Sequence, residues 1–186
     1  VVFPQHAVDL KAQFKKILAT EYTAVSTPIQ HAAVAGFEIS KDMDEYFEIT
    51  RNIHHIMGEY TNEELLKIEG VKVTKPEATF YLLADFNAFA TDLQKVKINT
   101  SQKLSESLMV HPYHTAIVGG DSLVLERTDF SARIAYVDYD GAKVYQSYKK
   151  EKPKTHSERT EFVKNNAPKM VQGIKMIAKF FEDIRN

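Results

Sequence analysis

Glu45-Tyr46-Phe47-Glu48-Ile49-Thr50-Arg51-Asn52-Ile53-His54-His55-Ile56-Met57-Gly58-Glu59-Tyr60 is the stretch whose period sets the fold. Its apolar residues Tyr46, Ile49, Ile53, Ile56 and Tyr60 recur at intervals of 3, 4, 3 and 4, which draws one stripe along four helical turns. Glu45, Glu48, Arg51, Asn52 and Glu59 fall on the other faces, so the helix buries one side and wets the rest. Ser40 stands where a cap is needed. A second short helix is expected over Asn62 to Ile68, stopping at Gly70, a residue free to take the left-handed turn that ends helices.

Upstream the pattern is also helical. Leu10, Phe14, Ile17, Leu18 and Tyr22 share a face, and Gln30 to Phe37 is a run of small residues that starts after Pro28, a first-turn proline. Downstream of Gly70 the period shortens to two. Val71 and Val73, then Phe80, Leu82 and Ala84, read as strands around Pro76. Asn99-Thr100-Ser101 caps a helix carrying Leu104, Leu108 and Met109, Thr115 to Val118 is a short strand, and Ala132, Ile134, Tyr136 and Asp138 alternate with Arg133, Ala135 and Val137 in another. Asp140-Gly141 is a tight-turn signal, and Lys149 to Ser157 is expected as a charged loop. Met170, Ile174, Ile177, Phe181 and Ile184 mark a terminal helix after Pro168. Helices followed by a mixed unit of strands and helices make the class α+β, with a boundary between 1–70 and 71–186.

Composition narrows the function. The 186 residues hold 24 basic and 25 acidic side chains, so no overall field favours nucleic acid or an anionic membrane. With no cysteine, disulfide frameworks, thiolate metal sites and cysteine nucleophiles are excluded, which fits a reducing compartment. Apolar runs such as Phe80 to Ala84 are far too short to span a bilayer. Val1-Val2-Phe3-Pro4 reads as the end of a strand whose earlier part belongs to a longer chain.

Most chemistry-bearing residues have a plain structural reading. His54 and His55 are neighbours on a helix, hence about 100° apart, and cannot grip one ion together. His111 and His114 flank Pro112 and lack a third ligand at metal-site spacing, so no metal is expected. Gly119-Gly120-Asp121-Ser122 lacks the remaining glycines and the Lys-Ser/Thr of a phosphate loop. Ser40-Lys41 and Glu63-Glu64 belong to exposed helix faces, and no lysine sits in the small-residue context of a Schiff-base site. Arg133 differs. It interrupts an apolar strand, where a guanidinium needs a partner. Either it is an edge arginine paired to a nearby acid or lying along apolar surface, or it offers a planar fork to a substrate carboxylate.

The order of these pieces resembles the class I and II aminotransferases of the aspartate aminotransferase fold. The matching stretches are Ser26-Thr27-Pro28-Ile29-Gln30-His31-Ala32-Ala33, the long helix, Lys75-Pro76-Glu77-Ala78-Thr79-Phe80-Tyr81-Leu82, Thr115-Ala116-Ile117-Val118-Gly119-Gly120 and Ala132-Arg133-Ile134-Ala135-Tyr136-Val137. The likeness runs from Val1 to the terminal helix. Departures are Ala78 where the family usually has Gly, Val118-Gly119 where it has Pro-Gly, and Lys149 to Ser157, which looks inserted.

The resemblance implies that 1–70 are a remnant of the family's large domain plus the interdomain helix, and 71–186 its small C-terminal domain. It implies that Arg133 binds the substrate α-carboxylate. It also implies that the Schiff-base lysine, the aspartate on the pyridine nitrogen and most phosphate ligands of pyridoxal 5'-phosphate lie upstream of Val1. No catalytic or cofactor-binding residue is therefore expected in this chain, and the chain alone is expected to be inactive. The parent enzyme would be a cytoplasmic homodimer acting on an amino acid and a 2-oxo acid, with Ser26 to Pro28 close to the partner subunit and with neither nucleic-acid nor membrane partners. The alternative is a ligand-sensing or protein-interaction module that keeps the aminotransferase fold without catalysis.

Overall fold

The computed structural model describes residues 8–21 and 25–185. The strand reading of Val1 to Pro4 and the end of the first apolar stripe at Tyr22 lie outside the described residues. The chain divides into two compact units, 1–44 and 45–186.

The first unit is helical. Its helices are α1 (Val8–Glu21) and α2 (Thr27–Gly36), and it includes the start of α3 (Lys41–Leu66). Pro28 sits in the first turn of α2 after Ser26, as the sequence indicates, although the Ser26 side chain makes no capping bond. Ser40 does cap α3, its Oγ accepting from the Met43 backbone N–H at 3.2 Å. The apolar stripe of α1 exists, with Leu10, Phe14, Ile17 and Leu18 each about half exposed.

The second unit is built on a four-stranded antiparallel sheet of β1 (Lys72–Val73), β2 (Tyr81–Asp85), β3 (Val118–Gly119) and β4 (Ser131–Ala135), in spatial order β1-β2-β4-β3. Leu82 and Ala84 of β2 and Ala132 and Ile134 of β4 point into the core. Alternation therefore sends Tyr81, Leu83 and Arg133 to the opposite face. On the core side lie α3, α5 (Ser101–Met109) and α8 (Pro168–Asp183) with their buried stripes, among them Ile53, Met57, Leu104, Leu108 and Ile177. Phe181 anchors the packing, with its ring 4.7 Å from Phe86 and 4.2 Å from Phe89. The helix α4 (Ala90–Lys95) contributes one buried residue, Leu93.

Several expectations need correction. The strand expected over Thr115 to Val118 is only Val118–Gly119, and the one expected to run to Asp138 ends at Ala135. No second helix begins at Asn62: α3 continues to Leu66, where Leu65 extends the buried stripe. Asp140-Gly141 is not a hairpin turn. The Asp140 carboxylate accepts from the Lys143 N–H at 3.0 Å and starts α6 (Gly141–Glu151). The stretch from Lys149 to Ser157 is mostly helix rather than loop. Only 152–155 connect α6 to α7 (His156–Asn166), which opens with a capping box in which Thr155 and Glu158 each satisfy the other's backbone N–H.

Candidate functional site

The two central strands fix the surroundings of Arg133. In register it faces Leu83 on β2 and Val118 on β3, so aliphatic side chains flank it on both sides. Tyr81 is its diagonal neighbour, two residues along β2 from Leu83, within reach of long side chains. The guanidinium carbon lies 4.4 Å from the centre of the Tyr81 ring, over its face. Among the described residues no carboxylate comes within 4.0 Å of it. Asp129, four residues before Arg133, accepts from Asn87 and from the Ser131 N–H, and Asp85 on the paired strand β2 also accepts from Asn87. Of the readings open in the sequence, the acid-paired arginine is thereby excluded for the described residues, while the flanking Leu83 and Val118 fit both an arginine lying along apolar surface and one offering its fork to a ligand.

Arg133 lines an open cleft of about 700 Å³, whose opposite wall is the loop of Lys75, Pro76, Glu77 and Ala78. Leu83 and Leu123 add apolar surface to it. The loop is locally constrained. Thr79 takes a positive φ of 65°, an uncommon conformation for a β-branched residue. It is held on both sides of its peptide: its hydroxyl accepts from the Tyr81 N–H at 3.3 Å, and its carbonyl accepts from the buried Tyr136 hydroxyl at 3.1 Å. Gly58 on α3 makes this possible, since a Cβ there would stand 3.0 Å from the Tyr136 ring.

Behind this loop lies His54, half-buried, with its ring 6.1 Å from that of Phe80. Burial pushes the His54 imidazole below its ordinary pKa and Tyr139 up to about 12. Tyr139 Oη lies 3.4 Å from His54 Nδ1, a hydrogen bond whose direction is set by the imidazole tautomer. His54 is thus a packed, half-buried histidine, and His55 is exposed.

The other candidates are brought to nothing shared. The rings of His111 and His114 stand edge to face at 5.7 Å, and no group of three possible metal ligands occurs among the described residues. The Gly119-Gly120-Asp121-Ser122 turn is closed on itself, with Asp121 accepting from the Ser101 hydroxyl at 3.0 Å and from the Ser122 N–H at 3.0 Å, leaving no cradle for an anion. Glu63 faces His156 at 3.6 Å and Glu64 pairs with Lys67. Sequence reasoning missed Tyr81 as the partner of Arg133. The available signal was that both are large polar-tipped residues at outward positions of alternating strands.

Pyridoxal phosphate would need a lysine on a rigid element and a buried acid for its ring nitrogen. The cleft offers only Lys75 and Glu77, both exposed on the loop. The described residues around Arg133 therefore do not themselves fit that cofactor.

The family model for aminotransferase class I and II matches residues 6–143. The chain belongs to that family. The match ends early in α6, so the terminal helix, which the sequence resemblance was expected to reach, lies beyond it. Among curated proteins the chain is 33% identical over 101 residues to a probable aspartate/prephenate aminotransferase of Aquifex aeolicus (strain VF5). That alignment covers 52% of this chain and 24% of the relative, so the chain spans about a quarter of that protein's length.

Proposed function

We propose that this chain is part of a pyridoxal-phosphate-dependent aminotransferase that moves an amino group between an amino acid and a 2-oxo acid, and that Arg133 binds the substrate's α-carboxylate. One observation carries the reading. A strand presents a guanidinium to an open cleft with its charge unmatched by any acid among the described residues. Such a fork recognises a carboxylate by two parallel N–H···O bonds. The cofactor, held by residues elsewhere in the parent, would supply the electron sink for the chemistry at Cα. Arg133 supplies orientation, anchoring one end of the substrate so that its reacting carbon has a fixed position.

In this reading residues 1–70 contribute the end of the large domain and the interdomain helix, and 71–186 form the small domain. On the same reading the cofactor ligands come from residues other than those lining the Arg133 cleft, and residues 1–186 alone neither hold the cofactor nor turn over substrate. The parent is a cytoplasmic homodimer without nucleic-acid or membrane partners. The near-balance of charge in this chain supports the lack of a nucleic-acid partner. The relative's name supports a dicarboxylic substrate such as aspartate.

The test is Arg133→Lys in the complete enzyme. Losing a charge-assisted fork should weaken amino-acid binding by about 1.5–3 kcal/mol, roughly 10- to 150-fold in KM. Cofactor uptake should be unchanged. An unaltered KM for the amino acid rejects the assignment.

A further inference from the structure

We propose that Tyr81 is the positioning residue for Arg133: its ring face fixes the guanidinium so that the hydrogen-bonding edges remain available to the substrate carboxylate. The inference rests on the role proposed above for Arg133 and adds a residue to it.

An arginine side chain that serves as a receptor has two conflicting needs. Its rotamers must be restrained, because a freely sampling side chain loses much of its binding energy in ordering. Yet the restraint must not consume the N–H groups that recognise the ligand. An acid partner restrains and consumes at once. An aromatic face restrains through the quadrupole beneath the guanidinium plane, while the N–H donors project from the edges of that plane. The geometry around Arg133 has the second form. The side chains directly across from it, Leu83 and Val118, offer neither donor nor acceptor. Among the described residues, the one polar or aromatic contact of the guanidinium is the Tyr81 ring, at 4.4 Å.

The Tyr81 ring is itself braced. Phe80 lies against it, ring centre to ring centre 4.3 Å, and His54 of α3 backs Phe80 at 6.1 Å. The backbone at Tyr81 is tied to Thr79, whose carbonyl is held by Tyr136. The platform is thus connected to the buried core through Tyr136, which is 2% exposed.

The experiment compares Tyr81→Leu, Tyr81→Gln and Tyr81→Phe with Arg133→Lys in the complete enzyme. The readouts are KM and kcat for the amino-acid half-reaction and the absorbance of bound cofactor. With the ring removed, Leu and Gln should each raise KM about five- to tenfold while kcat stays within about twofold, and Phe, which keeps the ring, should restore KM to within about twofold. Cofactor absorbance should not change in any of the three. A merely structural role would lower kcat and cofactor occupancy together with the rise in KM. If Arg133→Lys raises KM but both ring-deleting variants leave it unchanged, the platform is refuted and the carboxylate role stands. If Arg133→Lys also has no effect on KM, the carboxylate role falls, and the platform with it. Should Tyr81→Leu not fold, the Gln and Phe pair decides the question by itself.

Discussion

Gly119→Ala probes how tightly the edge of the sheet is locked beside Arg133. Gly119 is the β3 residue paired with Ala132, next to the Val118–Arg133 pair. A Cβ added there would stand 2.7 Å from the Ser101 carbonyl oxygen and 2.9 Å from the Asp121 carboxylate oxygen Oδ1. Ordinary contact needs roughly half an ångström more on the first of these, and neither neighbour is a free end. The Ser101 carbonyl accepts from the Ser105 hydroxyl at 3.0 Å, its N–H donates to Arg127 at 2.9 Å, and α5 is pinned by Leu104 and Leu108, both fully buried. Forcing a methyl into such a place costs about 2–3 kcal/mol. Gly119 has a φ of −62°, which alanine accepts, so the stiffer unfolded chain returns about 0.5–1 kcal/mol. The net loss is about 2 kcal/mol, and for a cooperative unit of roughly 140 residues this lowers Tm by about 7 °C. Thermal and urea unfolding of the wild type and the variant measure it, with Gly141→Ala as the internal contrast. Nothing lies within 4 Å of a Cβ at Gly141, so that change should be neutral or slightly stabilising. A Gly119→Ala protein that melts within about 1 °C of the wild type would show that α5 yields easily, and the reasoning would be wrong.

Two further outcomes follow from the caps and the charges. Asp140→Ala removes the side-chain acceptor for the Lys143 N–H and should destabilise by about 1 kcal/mol, read from urea midpoints, whereas Asp140→Asn should retain most of it. The Ser131 and Asn87 side chains beside Asp129 hold its carboxyl below the ordinary carboxylate range. A depressed folded pKa means that the ionised group stabilises the fold above its unfolded value of about 3.8, and that this contribution disappears as pH falls through the lower folded value. Asp129→Asn should therefore be less stable than the wild type near neutral pH, with the gap closing in acid. A gap of constant size between about pH 7 and pH 3 contradicts the assignment.

What the sequence disclosed depended on how each element is specified. Helices α3, α5 and α8 carry buried stripes at helical spacing, and these are legible. Helices α6 and α7 are not, because α6 buries Val144 alone and α7 buries the adjacent pair Phe162 and Val163, neither of which makes a periodic stripe. Their beginnings are set instead by Asp140 and by the Thr155–Glu158 box, short polar signals that resemble turns. Arg133 stood out because a charge among alternating apolar residues demands a reason. Its ring partner did not, since which residue of β2 lies diagonal to Arg133 depends on strand register, and register is a property of two strands together.

That register is nonetheless not free to drift, and this ties the site to the fold. Leu82, Ala84, Ala132 and Ile134 fill the core face of the two central strands. Slipping the chain of β4 by one residue against its faces would turn Ala132 and Ile134 to the outside and drive the Arg133 guanidinium inward. Burying an unpaired charge costs several kcal/mol, and exposing Ile134 forfeits about 2 kcal/mol more. Such a penalty is a large share of the stability of any single domain. The alternation that builds the sheet therefore also directs Arg133 outward, towards Tyr81 and the cleft. The arginine contributes to this as much as it profits from it, because its charge is the most costly residue of β4 to place on the wrong face. A neutral residue at position 133 would loosen the specification of the strand as well as remove the proposed carboxylate receptor.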